Sequence, residues 1–524
     1  MSKVILFVSI YCFELVSIKH ALHILQQNRY NLRRYIDWCA KRIKSSNVSF
    51  ALMIWFIPCL GIAMMNRTSI MMTLMTLLML VYGYVLYQAD HRHTAILPLV
   101  WTARIKRLSL MMSLLTWGWL YLLYRLLGIR AFICLACLQF FSPWLLILPS
   151  QWLMMPIEQG IRKWYVRDAK RIMQKYSNQM RIGITGSYGK TSVKNIMYHV
   201  LSEQFYCFKT PKSYNNLMGI TRSIREQLKP VHQAFICEMG ADHIHEITRL
   251  AEFVKPRIGV VSAVGPQHLQ TFHSIDNILQ EKMQLIEHLP KDGLGVINMD
   301  NDYIRNYEIK NTCKIIRYGI HQKDADLRAY NIISDAGGTT FQVDASGESY
   351  TFHTILLGEH NVLNILASLA VGWYLNIPWK AMQQAVERVP FIEHRLELNH
   401  QYPFTMIDNS YNSNPVSARL ALGVLAQMPG RHILITPGFI DLGSVENEEN
   451  RRFGEVIPQY ADEVILVGEQ QTRYIYKGLL RTEMDQSRIH VVKMTKDALA
   501  LCRKIAAPSD TVLIENDLPD AFNH

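Results

Sequence analysis

Four apolar runs crowd the first 150 residues of this chain, at 49–65, 69–87, 108–127 and 131–149. Each is long enough, or nearly so, to cross a hydrocarbon core of roughly 30 Å at about 1.5 Å of helix per residue. The sequence therefore predicts an all-α transmembrane region over residues 1–149, with four helices, or five if the shorter run 4–18 also spans. That run is interrupted by Glu14 and has no small-residue cleavage site, which favours an uncleaved first span over a signal peptide. Arg125 lies within a turn of the end of its run, where its side chain can snorkel.

Charge then orients the spans. Residues 1–180 hold 21 Lys and Arg against 5 Asp and Glu, a net +16, while the remainder carries −4. The basic residues sit between apolar runs rather than on a polar globular surface, which argues against a nucleic-acid partner. Lys19, Arg29, Arg33, Arg34, Lys41, Arg42 and Lys44 fill one connection, and Arg92, Arg104, Lys106 and Arg107 another. By the positive-inside rule these face the cytoplasm, predicting an integral inner-membrane protein with cytoplasmic catalytic domains and membrane lipid as a partner. Residues 150–180 set Trp152, Trp164 and Tyr165 among Arg162, Lys163, Arg167, Lys170 and Arg171, the pattern of an amphipathic linker on the membrane surface or of a solvated helix. Of nine cysteines only Cys134 and Cys137 are closely spaced, inside an apolar run, so neither a zinc site nor a disulfide framework is implied.

From residue 181 onward short β-rich runs alternate with helical patterns, the signature of a mostly parallel sheet covered by helices. Strands are expected at 182–185, 234–238, 258–263 and 295–298. A second set begins near Thr405 and continues at 432–436, 463–467, 490–492 and 511–514. The economical reading is an α/β chain of two domains, a central P-loop-type ATPase domain over 181–397 and a Rossmann-like C-terminal domain over 398–524, with a β-rich insertion at 301–354.

The first of these strands runs into RIGITGSYGKTSVKNI. A Gly-rich turn between strand and helix aims backbone N–H groups at an anion, and the helix dipole favours negative charge there. Gly186, Ser187, Gly189, Lys190, Thr191 and Ser192 form the expected nucleotide-binding set, with Lys190 on the terminal phosphates and the Thr191 hydroxyl on Mg²⁺. The general spacing G-x-x-x-x-G-K is not met, because Ile184 stands at the first Gly position.

TGSYGKTS, followed in order by TPKSYNNLMGI, EMGADHIHEI, VSAVGPQHLQTFHS, HNVLNILASLA, EHRLE and DNSYNSNPVSAR, resembles the Mur ligase family through nearly all of 181–524, and most of all its UDP-N-acetylmuramoyl-tripeptide:D-alanyl-D-alanine ligases. The resemblance implies an ATP- and Mg²⁺-dependent, ADP-forming amide-bond ligase of cell-wall precursor synthesis that works through an acyl phosphate. Its partners would be a small amine, an amino acid or D-alanyl-D-alanine, and a carboxylate acceptor that is UDP- or lipid-linked.

Such chemistry needs cations to neutralise two anions as they meet. The resemblance assigns Lys190, Glu238, His268 and Lys282 to catalysis, and Thr191, Glu238, His268 and Lys282 to the metal, with Lys282 at the family's carbamylated lysine. A helix-surface lysine is the plainer alternative for Lys282. Asn361 and Asn364 fall where the family contacts adenine, with a cap or turn role open for Asn361. Arg395 and Asp408 fall where the hinge and the C-terminal domain close over the nucleotide, with a surface salt bridge as the plainer alternative for both, and Asn412 would contact the nucleotide or the incoming amine. Asn215 and Asn216 would line the acceptor side, with turn formation as the rival. The chain departs from the family in having apolar runs where a uridine-gripping domain is usual, and in ending on LIENDLPDAFNH instead of a Lys- and Gly-bearing loop. Ligation for another envelope polymer such as poly-γ-glutamate, an ATP-driven transporter and a nonenzymatic membrane scaffold are the alternatives.

Overall fold

The computed structural model describes residues 5, 9, 15, 18–19, 21–28, 30, 32–43, 61–62, 68–92, 99–140, 146–267, 269–335, 337–391, 394–399, 402–410, 414–440, 442 and 445–516. The chain divides into two compact units, Met1–Trp164 and Tyr165–His524.

The described part of the first unit is helical, with helices Leu32–Ile43, Thr68–Arg92 and Ala103–Phe140 followed by Ile147–Lys175. Ile18, Leu22, Leu25, Tyr35, Ile105, Leu108, Met112 and Ile147 form its core. Here the sequence expectation is corrected. Among the described residues no helix is long and apolar enough to cross a membrane. The runs 4–18 and 49–65 fall largely outside the described residues. The runs 108–127 and 131–149 are not parted by a turn at Arg130, because Ala103–Phe140 is one helix of 38 residues with Arg125 and Arg130 along its length. The basic residues read as loop charges are largely helical. Arg33, Arg34, Lys41 and Arg42 belong to Leu32–Ile43, Arg92 ends Thr68–Arg92, and Arg104, Lys106 and Arg107 open Ala103–Phe140. Arg107 is paired with Glu158 at 2.7 Å. The positive-inside rule counts loop charges, and apolar density reads alike whether a helix packs on lipid or on other helices. Among the described residues, then, nothing supports the spans or the inner-membrane location and lipid partner read from them.

The second unit holds two sheets. The first has nine strands in the order β2-β3-β1-β4-β5-β6-β7-β8-β9: β1 Met180–Thr185, β2 Cys207–Lys209, β3 Ala234–Glu238, β4 Ile258–Val261, β5 Leu294–Asn298, β6 Lys314–Gly319, β7 Leu327–Asp335, β8 Gly338–Ala345 and β9 Glu348–Thr354. Strands β1 to β6 pair in parallel, β6 and β7 likewise, and β7 to β9 turn antiparallel. The β-rich insertion thus extends the first sheet. Alternation drives the layering: Ile182, Ile184, Ile236 and Val260 enter one core, while Phe235, Cys237 and Val261 enter the core on the other face. Both faces are covered, as a parallel sheet requires, and each buried large apolar side chain contributes about 1.5–3 kcal/mol.

The second sheet has six strands in the order β10-β11-β15-β12-β13-β14: β10 Glu397–Asn399, β11 Thr405–Asn409, β12 His432–Thr436, β13 Glu463–Val467, β14 Ile489–Val492 and β15 Thr511–Glu515. All are parallel except β10, which pairs antiparallel with β11. Ile407, Leu434, Val464 and Leu513 face one core, and Met406, Ile433, Ile465 and Val512 the other.

Candidate active site

In the first sheet the chain leaves β1 for β2 and β3 on one side and returns to β4 on the other, so the strand order reverses at β1. Ligands of open α/β sheets bind outside the carboxyl ends of the strands at such a point. The Gly-rich turn lies there, between Thr185 and the helix Lys190–Ser202. Gly186 has φ 150° and Gly189 φ 80°. A Cβ on Gly186 would lie 2.2 Å from the Ser262 Oγ, and one on Gly189 2.6 Å from the Asn364 Oδ1. No larger residue fits either place. The turn is tied to the loop after β4: Ser187 Oγ donates to the Gly265 carbonyl at 3.1 Å, and Tyr188 Oη to that of Pro266 at 2.9 Å. Held this way, the first amides of a 13-residue helix present unsatisfied donors to an anion, with Ser192 buried beneath them.

Lys190 donates its Nζ to the Gly186 carbonyl at 2.7 Å and to that of Ser187 at 3.0 Å. Burial pushes its ammonium down to about 8; Glu238 opposes that shift and Arg395 adds to it. Glu238 ends β3 beside Ile184 of β1 and is 1% exposed. Its Oε2 accepts from Thr191 Oγ1 at 3.1 Å and from Lys194 Nζ at 2.9 Å, and its Oε1 accepts from Asn215 Nδ2 at 3.0 Å. Burial raises this carboxyl, but the Lys194 ammonium outweighs it, helped by Lys190 and the Asn215 amide, and holds it below the ordinary carboxylate value.

Lys282 is no surface lysine. It sits on helix Ile275–Glu287 at 2% exposure and donates to the Ala241 carbonyl at 3.2 Å. Burial pushes it down to about 7, the Lys190 charge acts in the same direction, and Glu281, Asp242 and Glu246 oppose. On the helix Glu359–Tyr374, Asn361 and Asn364 are both buried, with Asn364 against Gly189. Asn361 Nδ2 donates to the Leu357 carbonyl at 2.9 Å, which is the plainer turn role. Asn215 joins the Glu238 cluster, whereas Asn216 caps helix Leu217–Gln227 through Gly219 N at 2.8 Å.

The remaining candidates are carried by the second sheet or lie beyond description. Asp408, near the carboxyl end of β11, pairs through Oδ2 with His394 Nδ1 at 2.7 Å and accepts from Ser410 N at 2.9 Å. His394, Glu397 and Asp408 bring ligand atoms within 4.8 Å of one another, but His394 is exposed and the arrangement is that of an ion-paired cluster. Burial is the main force pushing His360 down, and the Arg395 charge adds to it there as it does at Lys190. His268 and Asn412 lie outside the described residues. Sequence reasoning missed Lys194, whose signal was its spacing of four from Lys190 on one helix face.

Which ion these groups suit follows from their donor atoms. Thr191 Oγ1, hydrogen-bonded to Glu238 Oε2 at 3.1 Å, and the Glu238 carboxylate bring together oxygen ligands of the kind Mg²⁺ takes. Both are hard oxygen donors, so the residues present fit Mg²⁺.

Comparison with known proteins agrees with this architecture. Residues 184–372 match the Mur ligase middle domain and residues 394–515 the Mur ligase glutamate ligase domain. The UDP-N-acetylmuramoyl-tripeptide–D-alanyl-D-alanine ligase of Bacillus subtilis (strain 168) is 27% identical over 351 residues, covering 66% of this chain and 75% of that protein. The protein of the same name from Escherichia coli (strain K12) is 28% identical over 292 residues, covering 55% of this chain and 64% of that protein, so the chain spans under two thirds of this relative. The fold is that of a MurF ligase from Thermotoga maritima in complex with ADP, at TM-score 0.62 and 21% identity over 69% of this chain and 81% of that one. MurF from Acinetobacter baumannii is similar at 0.61 and 23%, over 68% of this chain and 77% of that one.

Proposed function

Because residues 184–372 and 394–515 are Mur ligase middle and glutamate ligase domains, this chain belongs to the Mur ligase family of ATP-dependent amide-bond ligases, and we propose that it joins an amine to a muramoyl-peptide-like carboxylate through an acyl phosphate. ATP and Mg²⁺ serve the reaction. The observation that carries the finer reading is the meeting of Thr191, Glu238 and Lys190 at the phosphate turn, with the buried Lys282 within electrostatic reach.

In this mechanism the helix N-terminus and Lys190 hold the phosphates of ATP and stabilise the charge that builds on the transferred phosphoryl group. Thr191 and Glu238 would hold Mg²⁺, which would supply positive charge to neutralise the phosphates as an acceptor carboxylate approaches. Lys282, whose ammonium is destabilised by burial, is suited to add its neutral amine to CO₂ with loss of a proton to solvent, and the resulting carbamate would offer Mg²⁺ a further anionic oxygen. His268 keeps the second metal-ligand role that its sequence context gives it. Arg395 and Asp408 act from the C-terminal domain, Asn361 and Asn364 on the nucleotide base, and Asn412 on the nucleotide. Asn215 and Asn216 lie on the acceptor side. The acceptor carboxylate takes the γ-phosphoryl group of ATP and releases ADP; the amine, D-alanyl-D-alanine in the relatives' names, then displaces inorganic phosphate from the acyl phosphate and leaves an amide.

Purified protein given ATP, Mg²⁺ and D-alanyl-D-alanine should release ADP only when UDP-N-acetylmuramoyl tripeptide is added, with a product heavier by the dipeptide less water. ADP release with a poly-γ-glutamyl acceptor instead would move the activity to another envelope polymer, and none with any acceptor would end the reading.

A further inference from the structure

We propose that Lys194 is a positioning residue that ties the acceptor-side loop 210–216 to the Glu238 carboxylate, so that the Mg²⁺–nucleotide and the acceptor are gripped as coupled events. The proposal rests on the reading above, with Glu238 on the ion and Asn215 on the acceptor side. Lys194 is 1% exposed, one helical turn beyond Lys190. Its Nζ donates to Glu238 Oε2 at 2.9 Å and also to the Lys212 carbonyl. Lys212 has φ 46°, a left-handed backbone that an L residue keeps only when its surroundings hold it. The same loop meets Glu238 twice more. Asn215 Nδ2 donates to Oε1 at 3.0 Å, and the Glu238 amide donates to Thr210 Oγ1 at 3.1 Å.

Three elements therefore converge on one carboxylate: the phosphate-turn helix, β3 and the loop. A buried ammonium must keep its acceptors, since leaving any of its donors or partners unmatched in a dry site is costly. When Glu238 Oε2 is drawn toward Mg²⁺, Lys194 and the Lys212 carbonyl that it holds must readjust with it. Lys194 makes no contact with the carbonyls that Lys190 uses, so its loss leaves the phosphate grip in place and removes the link.

Amide exchange across 212–216 of the full chain, measured with ADP alone and with ADP plus Mg²⁺, reads this link directly. In the unaltered protein Mg²⁺–ADP should slow exchange in the loop several-fold more than ADP alone. In Lys194→Met, at Mg²⁺ and ADP concentrations shown to saturate the variant, that Mg²⁺-dependent slowing should fall below twofold while the affinity for ADP without Mg²⁺ stays the same. An equal response in Lys194→Met overturns the proposal. Should that variant fail to fold, as judged by its circular dichroism melt, Lys194→Gln, a neutral donor of shorter reach, decides by the same criterion. If the unaltered protein binds no Mg²⁺–ADP, the ligase reading itself fails; if it binds and the loop does not respond, only the coupling fails.

Discussion

Both sheets gather polar residues beside the carboxyl ends of their parallel strands, on the strands or on neighbouring helices and loops, yet with very different exposure. On the first sheet Lys194, Glu238 and Lys282 are at most 2% exposed. On the second, the side chains of His394 and Asp408 are 46% and 20% exposed. Burial is what displaces Lys190 and Lys282 from ordinary lysine behaviour, and displaced ionisation is the mark of groups placed for chemistry rather than for solubility. Substitutions should therefore affect the two sheets unequally.

The sharpest break is at Lys190. Lys190→Ala removes a cation aimed at the transferred phosphoryl group, and amine-dependent ADP release should fall on the order of 10³-fold. The fold should survive, because the Nζ partners are two carbonyls of the turn itself. Turnover within twofold of the unaltered protein would remove the phosphate-turn assignment and with it the contrast between the sheets.

Lys282 gives the next largest effect, on the order of 10²-fold in ligation for Lys282→Ala if its carbamate helps hold the ion. Short carboxylates should restore part of that loss. Its pH signature is separate. The folded value of about 7 lies below the ordinary 10.5, so between these values the unfolded chain binds the extra proton and stability rises with pH. Below about pH 7 both states are protonated and the slope from this group vanishes. With CO₂ removed, the rise from this one lysine is at most about 1.4 kcal/mol per pH unit. Thermal melts of Lys282→Met should be flatter over that window, and an unchanged slope would place the titration elsewhere.

Asp408→Asn tests the other sheet. It breaks a half-exposed pair with His394, which solvent screening limits to under about 1 kcal/mol of stability. ADP release should drop about 10-fold, a loss of orientation worth about 1.4 kcal/mol. A loss as large as that of Lys190→Ala would make the second sheet an equal bearer of the chemistry.

Where the sequence was legible, it was so through period and order. Strands 234–238, 432–436 and 463–467 fall at the expected bounds, since each is a short buried run closed by polar or turn residues. The short β2 escaped because Cys207–Lys209 is three residues, too few to show alternation. The N-terminal third misled because apolar content alone does not say what a helix packs against, and because charges read as loops lie within helices. At the site, Lys190, Thr191 and Glu238 came from motif order. Lys194 had no sign beyond its spacing of four from Lys190, and its buried ion pair with a residue 44 apart shows only once the fold brings them together.

Two asparagines, whose loss should leave ADP release least changed, give the finest comparison. Asn216, at the start of helix Leu217–Gln227, caps one amide, that of Gly219 at 2.8 Å. Asn414, at the start of Pro415–Leu425, caps the amides of Val416 and Ser417, both at 3.0 Å, and Ser417 Oγ accepts the Asn414 amide in return at 3.1 Å. Alanine in a cap position costs about 0.5–2 kcal/mol. Asn216→Ala belongs near the lower end of that range and Asn414→Ala, which loses a reciprocal box, near the upper. If Asn216 serves only its helix, its loss should lower the melting temperature and leave the acceptor KM alone. A several-fold rise in that KM at unchanged stability would instead put its amide nitrogen on the acceptor, because the side-chain oxygen is already engaged by Gly219.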